Sequence, residues 1–248
     1  MPIELVNSQK EPSEQGLRLV DEPAVVPAVK RQFISFLFLK ADARWRRLSD
    51  EKKAAACDEF KKIFADYAED LLLFNYSLVG FDSKADLMFW RIGHDLDKIQ
   101  ELTTRMFRTE LGRYLSTVIN YLTCTKNRMF VTGSIEDRFH INAGEKQYHF
   151  VYPCSKLHSD MSPEEHLALV ENDFMVGKKF PNIRVHLTHA FGFGDQEYVL
   201  SFETDEPTDF LALAEELQDT PASKFALRGK PVYTCRKRPL SECLEALG

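Results

Sequence analysis

The sequence lacks paired cysteines. It contains five, and no two of them have the spacing of the Cys-x-x-Cys pair found in metal sites and redox centres: Cys57, Cys124, Cys154, Cys235 and Cys243. An odd and scattered set is typical of reduced thiols in a cytosolic enzyme. It provides neither a disulfide framework nor the ligands of a zinc or iron-sulfur site.

Long hydrophobic runs are also absent. Runs such as residues 36–39 and 71–74 are much shorter than the roughly 20 apolar residues that a membrane-spanning helix needs. The N-terminal residues have neither the basic start nor the apolar stretch of a secretory signal. We therefore expect no membrane insertion and a cytoplasmic location.

Clustered positive charge is missing as well. The formal net charge is −6, and a basic run such as residues 236–238 contains only three residues. Proteins that bind nucleic acid neutralise the phosphate backbone with many clustered Lys and Arg side chains. A nucleic-acid partner is therefore not expected.

Two stretches of the sequence have the pattern of a β-hairpin. In residues 183–205, β-branched and aromatic residues flank a Gly-Phe-Gly-Asp turn, whose glycines tolerate the positive φ of a tight hairpin. Residues 71–92 repeat the pattern around a short Asp-Ser-Lys turn, and an amphipathic helix follows each hairpin. The sequence therefore predicts a duplicated strand-helix-hairpin-helix-strand unit.

This duplication predicts an α+β fold with antiparallel sheets and with helices on the outside. A helix is expected over residues 207–217, with Phe210, Leu211, Leu213 and Leu217 buried. The predicted organisation is an N-terminal arm (1–31), a first repeat (32–125), a connection (126–145), a second repeat (146–237) and a C-terminal tail (238–248).

A further helix is predicted to begin in the second repeat at Ser162. The run Ser-Pro-Glu-Glu combines a capping serine, a proline at the first helical position and a glutamate that completes a capping box. The helix then carries His166, Leu169, Val170 and Asp173 near one stripe, because residues three, four and seven apart share a face.

Several of these motifs together resemble the chlorite dismutase and coproheme decarboxylase family of haem proteins, over about residues 32–235. They are Tyr152-Pro153 with Lys156, the run at 162–165, Gly-Lys-Lys-Phe-Pro at 177–181, and residues 190–205. The resemblance implies a pair of ferredoxin-like repeats around a barrel-like core, assembled into a homopentamer. It also implies a cofactor pocket in the second repeat that holds haem b or coprohaem.

The resemblance further implies roles for individual residues of that pocket. Asp173 occupies the position of the family's proximal histidine, and an anionic carboxylate is an uncommon axial ligand for haem iron. Glu203 matches the carboxylate that makes this histidine more basic. Two facing carboxyl groups favour a shared proton or a bound cation, because like charges oppose joint ionisation.

On the other side of the pocket, Val185 falls at the position of the distal arginine of chlorite dismutases, which argues against chlorite decomposition. Tyr152 matches the tyrosine that carries a radical to the substrate propionate in decarboxylating members, and Lys156 matches its basic neighbour. The loop after Lys156 lacks their tryptophan, and His158 falls near its place.

Two alternatives to family-type haem chemistry remain open from the sequence. One is a family member that has lost haem binding and serves as a ligand-binding or assembly module, which the substitution at Asp173 favours. The other is a non-haem metal held by His158, His166 and Asp173, with His186 and His189 on an opposing strand. The leading interpretation is a haem-type oxidoreductase with peroxide-linked chemistry at a porphyrin iron.

Overall fold

The computed structural model describes residues 31–125, 144, 146–154, 179–190, 192–196, 198–218 and 232–248. The strands of these residues are β1 (Phe33–Ala41), β2 (Leu72–Ser77), β3 (Leu87–Gly93), β4 (Leu115–Cys124), β5 (Tyr148–Cys154), β6 (Arg184–His189), β7 (Tyr198–Thr204) and β8 (Tyr233–Lys237). The α-helices are α1 (Asp50–Ala65), α2 (Leu96–Arg108), α3 (Pro207–Gln218) and α4 (Leu240–Glu245).

The strands form one closed antiparallel barrel in the order β1-β3-β2-β8-β5-β7-β6-β4. Each predicted repeat contributes four strands, and the two sets have the same internal order when read in the same direction around the barrel: β4-β1-β3-β2, followed by β8-β5-β7-β6. The repeats join where β2 pairs with β8 and where β4 pairs with β6. The predicted α+β fold and its duplication are therefore confirmed.

Alternate side chains of each strand point into the barrel, because successive residues of a strand face opposite sides. The interior is filled by large apolar and aromatic side chains that are almost completely buried, among them Ile34, Phe36, Phe38, Tyr76, Met88, Trp90, Val151 and Tyr233. The barrel is thus a packed core and offers no room for a planar ligand of porphyrin size.

Helices α1, α2 and α4 cover the outer face of the first repeat. Helix α2 buries Ile99, Leu102 and Met106, which recur at helical spacing, and its N-cap Asp95 accepts a hydrogen bond from the Asp97 backbone N–H at 2.9 Å. Helix α4 buries Cys243 and Leu244 in the same cluster. The C-terminal tail is therefore part of the core of the first repeat.

Helix α3 covers part of the outer face of the second repeat. Phe210, Leu213 and Leu217 are buried there, as predicted. The prediction for Leu211 was wrong, because its side chain is 60% exposed. A 100° rotation per residue turns Leu211 away from the face that its neighbour Phe210 presents to the sheet. In the part of the chain described, no helix is both long and apolar enough to cross a membrane.

We expect Leu102→Ala to lower the free energy of unfolding by about 2–5 kcal/mol, since the deletion leaves a cavity under α2. Leu211→Ala removes the same atoms from an exposed position and should change the free energy by about 0.5 kcal/mol or less. Urea unfolding followed by circular dichroism measures both. Equal effects of the two substitutions would contradict the assigned burial of α2 and α3.

Candidate functional site

A buried carboxylate lies inside the barrel at Glu203 of β7, whose side chain is 0% exposed. Its Oε2 lies 2.9 Å from Nε2 of His186 on the neighbouring strand β6. The backbone N–H of Gly144 donates to both carboxylate oxygens, at 3.0 and 3.2 Å. These contacts compensate the desolvation that a buried carboxylate suffers.

Gly144 adopts a left-handed backbone conformation with φ of +81°. A Cβ at this position would overlap the ring of Phe74. The Gly144 carbonyl in turn accepts a hydrogen bond from Nζ of Lys237, so both polar backbone groups of this residue are used inside the site. Only glycine combines this φ with the close approach to Phe74.

A second histidine, His149 of β5, lies beside this pair and is completely buried. Aromatic rings surround it, with centroid distances of 4.4 Å to Trp90 and 5.3 Å to Tyr76. Within the described residues, neither ring nitrogen of His149 has a hydrogen-bond partner. Burial, with a smaller contribution from the charge of His186, lowers the pKa of His149 well below its usual range.

The hydroxyl of Tyr76 closes this interior cluster on the side of β2. It is buried near Glu203, with no hydrogen bond of ordinary length to a described residue. Burial, reinforced by the Glu203 carboxylate, raises the pKa of Tyr76. The cluster is thus a histidine-glutamate pair and a neutral histidine enclosed by aromatic side chains.

The outer face of the same sheet has a different chemistry. Tyr152 of β5 is buried against Phe202 of β7 and Phe210 of α3, at centroid distances of 5.7 and 5.9 Å. Burial raises the pKa of Tyr152 to about 12. On β6, Val185 and Leu187 face the same side and are 46% and 37% exposed. These side chains form an apolar wall with an exposed aliphatic edge.

The barrel separates two residues that the sequence analysis assigned to one pocket. Tyr152 pairs in register with Leu200, and His149 pairs with Glu203. Because side chains alternate between faces, Tyr152 lies on the outer face and Glu203 lies in the interior. Val185 shares the outer face with Tyr152. Among the described residues, the structure therefore brings two of the predicted pocket residues, Tyr152 and Val185, to one face.

Four other predicted site residues lie outside the described residues: Lys156, His158, His166 and Asp173. The metal hypothesis consequently stays a prediction. No group of three or more His, Cys, Asp or Glu side chains is placed to hold a metal ion in the ranges that the structure covers. Of the histidines predicted to face such a metal, His186 is engaged by Glu203, and His189 lies beside Tyr198 at a ring distance of 5.0 Å.

Comparison with known proteins identifies the family. The family described as "Chlorite dismutase" matches residues 53–238, which is well over half of the chain. The chain belongs to the chlorite dismutase family. This result confirms the family resemblance that the sequence motifs indicate.

Individual relatives are distant in sequence, and a solved structure is similar in fold. Coproheme decarboxylase from Mycolicibacterium smegmatis is 25% identical over 167 residues, covering 64% of this chain and 70% of the relative. Chlorite dismutase from Ideonella dechloratans is 20% identical, covering 87% and 79%. A structure of a chlorite dismutase variant from Candidatus Nitrospira defluvii superposes with a TM-score of 0.77, at 24% identity and with 87% and 95% of the chains covered.

Sequence reasoning missed His149, Gly144 and Tyr76 as members of the interior cluster. The signal for His149 was present, since it alternates with Tyr148, Phe150 and Tyr152 in a strand and therefore faces away from them. Gly144 was assigned only to the connection between the repeats. Its role depends on Phe74 and Glu203, which are remote in the sequence, so no local pattern reveals it.

We expect Gly144→Ala to lower the free energy of unfolding by about 2–4 kcal/mol, because it combines backbone strain with overlap against Phe74. Gly192→Ala is the matched control. Gly192 has a φ of +89°, but no atom of the described residues lies within 4 Å of a Cβ there, so only the backbone strain of about 1 kcal/mol applies. Urea unfolding measures the difference, and equal losses would show that the contact with Phe74 is unimportant.

Because the pKa of His149 is lowered in the folded protein, we expect the free energy of unfolding to decrease as the pH decreases. Below about pH 6.5 the unfolded chain protonates this histidine, whereas the folded barrel keeps it neutral. This one group should therefore reduce the free energy of unfolding by up to about 1.4 kcal/mol per pH unit below that value, and by nothing above it.

The measurement is urea unfolding between pH 5 and pH 7.5 for the native protein and for His149→Phe. The variant keeps an aromatic ring at the position and cannot be protonated there, and it retains His186 and Glu203. Its stability should therefore decline less steeply as the pH falls. Parallel pH profiles of the two proteins would rule out this role for His149.

Proposed function

We propose that this chain is a haem-type oxidoreductase whose porphyrin binds on the outer face of the second repeat. The observation that carries the proposal is the apolar wall, in which Val185 and Leu187 are exposed beside the buried rings of Tyr152 and Phe202. A porphyrin has broad apolar faces, and ligand sites of this kind are lined mainly by aliphatic and aromatic side chains. The interior cluster does not fit such a ligand, because aromatic side chains fill the barrel.

Haem b and coprohaem are the candidate ligands, since the relatives include a coproheme decarboxylase and a chlorite dismutase. The bound iron would supply peroxide-linked redox chemistry. Val185 has no charge with which to hold chlorite, which favours this chemistry over chlorite decomposition. Asp173 and His158 are the proposed contacts near the iron, and Lys156 is the proposed contact for a propionate carboxylate.

Tyr152 is the proposed redox-active residue of the chain. Its pKa of about 12 keeps the phenol protonated at neutral pH, so its hydroxyl can give up a proton together with an electron. The rings of Phe202 and Phe210 fix its orientation and exclude water from the buried part of the ring. A tyrosine in this environment retains its proton until it is oxidised.

Glu203 acts indirectly in this proposal. It lies on the inner face of β7, between the outward-facing Phe202 and the last residue of the strand. Its contacts with His186 and Gly144 fix its position. We assign it the role of holding β6 and β7 together at the wall, in place of the direct cofactor contact that the sequence motif implies.

A second candidate function is a ligand-binding or assembly module that does not bind haem. The observation in its favour is Asp173 at the proximal histidine position. In either function we propose a homopentamer in the cytoplasm, on the basis of the family resemblance. Light scattering of the purified full chain tests the assembly and is independent of the cofactor.

The deciding experiment is a visible absorption titration of the purified chain with haem b and with coproporphyrin iron. Under the haem proposal, a sharp Soret band saturates at about one equivalent per chain, and Asp173→His shifts the band because imidazole is the stronger axial ligand. A broad absorption change that does not saturate would contradict specific haem binding. It would favour the ligand-binding or assembly module instead.

The wall itself is tested by Val185→Glu. A carboxylate on this surface opposes an apolar ligand that carries propionates, so we expect the porphyrin affinity to fall about tenfold or more. Val79→Glu is the matched control, since Val79 is 41% exposed in the hairpin of the first repeat and 46% of Val185 is exposed. Equal affinities of the two variants would exclude the wall as the site.

A further inference from the structure

An open cleft lies on the outer face of the barrel where β2 of the first repeat meets β8 of the second. In the described chain, strand pairing at this seam consists of Tyr76 with Lys237 and Ser77 with Arg236. The hairpin that follows β2 forms one wall of the cleft, and helix α4 forms the other. The cleft has a volume of about 500 Å³, which is within the range of small-molecule sites.

Two polar side chains form the floor of the cleft. Ser77 and Arg236 are directly opposite each other in the sheet, and directly opposed side chains lie on the same face. That face is the outer one, because the neighbouring Tyr76 and Cys235 belong to the barrel interior. The hydroxyl of Ser77 accepts a long hydrogen bond of 3.4 Å from the Val79 N–H, which leaves its own proton available to a ligand.

The positive charge of Arg236 is not neutralised by a carboxylate of the described chain. The ion pairs formed by the described residues do not include it. Its Cζ lies 5.7 Å from the ring centroid of Tyr148, a contact that restrains the guanidinium and leaves its charge in place. Arg238, which also lines the cleft, donates from Nη1 to Oε2 of Glu242 at 2.7 Å. Of these two cations, Arg236 is therefore the one available to a ligand.

An aromatic side chain borders the cleft beside these polar groups. Phe81, in the hairpin between β2 and β3, is 51% exposed. The turn fixes its position, because the backbone N–H groups of Phe81 and Asp82 donate to the Leu78 carbonyl at 2.8 and 3.0 Å. The hairpin thus presents an apolar surface that a ligand can bury.

Acidic side chains on the α4 side of the cleft restrict the charge of a ligand. Glu242 is paired with Arg238, and Glu245 is exposed on the same helix. Both line the cleft together with Arg236. These carboxylates repel a ligand with several negative charges, such as a phosphate ester. A single carboxylate can instead bind the guanidinium of Arg236 and accept a hydrogen bond from Ser77.

We propose that this cleft binds a small carboxylic acid that carries an apolar or aromatic group, as its monoanion. Arg236 and Ser77 bind the carboxylate, and Phe81 packs against the apolar part. The acidic side chains of α4 select against multiply charged anions. The cleft lies on β2, β8 and α4, whereas the apolar wall lies on β5, β6 and β7, so this site does not depend on the proposed haem function.

The test is isothermal titration calorimetry of the full chain, without added porphyrin, with phenylpropionate as the probe. We expect saturable binding of about one equivalent per chain, with a Kd of about 1 mM or below. Phenylpropanol lacks the charge and propionate lacks the ring, so each should bind at least about tenfold more weakly. The absence of saturable binding, or equal affinities for the acid and the alcohol, would overturn the proposal.

Two variants assign the binding to the cleft. Arg236→Met removes the guanidinium and keeps an unbranched side chain, and Phe81→Ser removes the ring from an exposed position. Each should weaken phenylpropionate binding by about tenfold or more, because each removes one of the two contacts. Arg113→Met is the matched control, since the Arg113 side chain is 70% exposed and lies elsewhere in the first repeat. Unchanged affinity in either cleft variant, or an equal loss in the control, would contradict the proposal.

Crystals soaked with a brominated phenylpropionate give a second readout that does not require the variants to fold. The anomalous peak of the bromine is expected beside the ring of Phe81, with the carboxylate within hydrogen-bonding distance of Arg236. A peak only at another position, or no peak at a concentration that saturates the calorimetric titration, would show that the acid does not bind in this cleft.

Discussion

Closure of the barrel is the constraint on which the rest of this structure depends. Once β2 pairs with β8 and β4 pairs with β6, every strand has a partner on both sides and each side chain is assigned to the interior or the exterior. The aromatic interior and the helix-covered exterior then become separate environments. A functional group on one face has no access to a group on the other, even when the two are adjacent in sequence.

This separation gives the second repeat two distinct chemistries. Inside, Glu203 and His186 form a buried pair, and His149 is kept neutral by its aromatic surroundings. Outside, Tyr152 and Val185 belong to an apolar wall. The inner pair links β6 and β7, the strands that carry part of the wall, without itself reaching the outer face.

The two repeats share a topology and differ in what they bury beneath their second helix. The second repeat buries Phe202 and Phe210, whereas the first buries the guanidinium of Arg91, which donates to the hydroxyls of Thr103 and Ser35. A duplicated fold can thus carry different side-chain chemistry on the same strand topology.

Local patterns in the sequence determined the duplicated unit, the hairpins and the helix faces, because these depend on spacings of two to four residues. The motif at residues 190–205 was also sufficient to indicate the family. Tertiary structure alone decided that Tyr152 and Glu203 lie on opposite faces and that Gly144 contacts Phe74. These facts depend on strand register and on contacts between residues far apart in the chain, and a change of one residue in register reverses the face of every side chain in a strand.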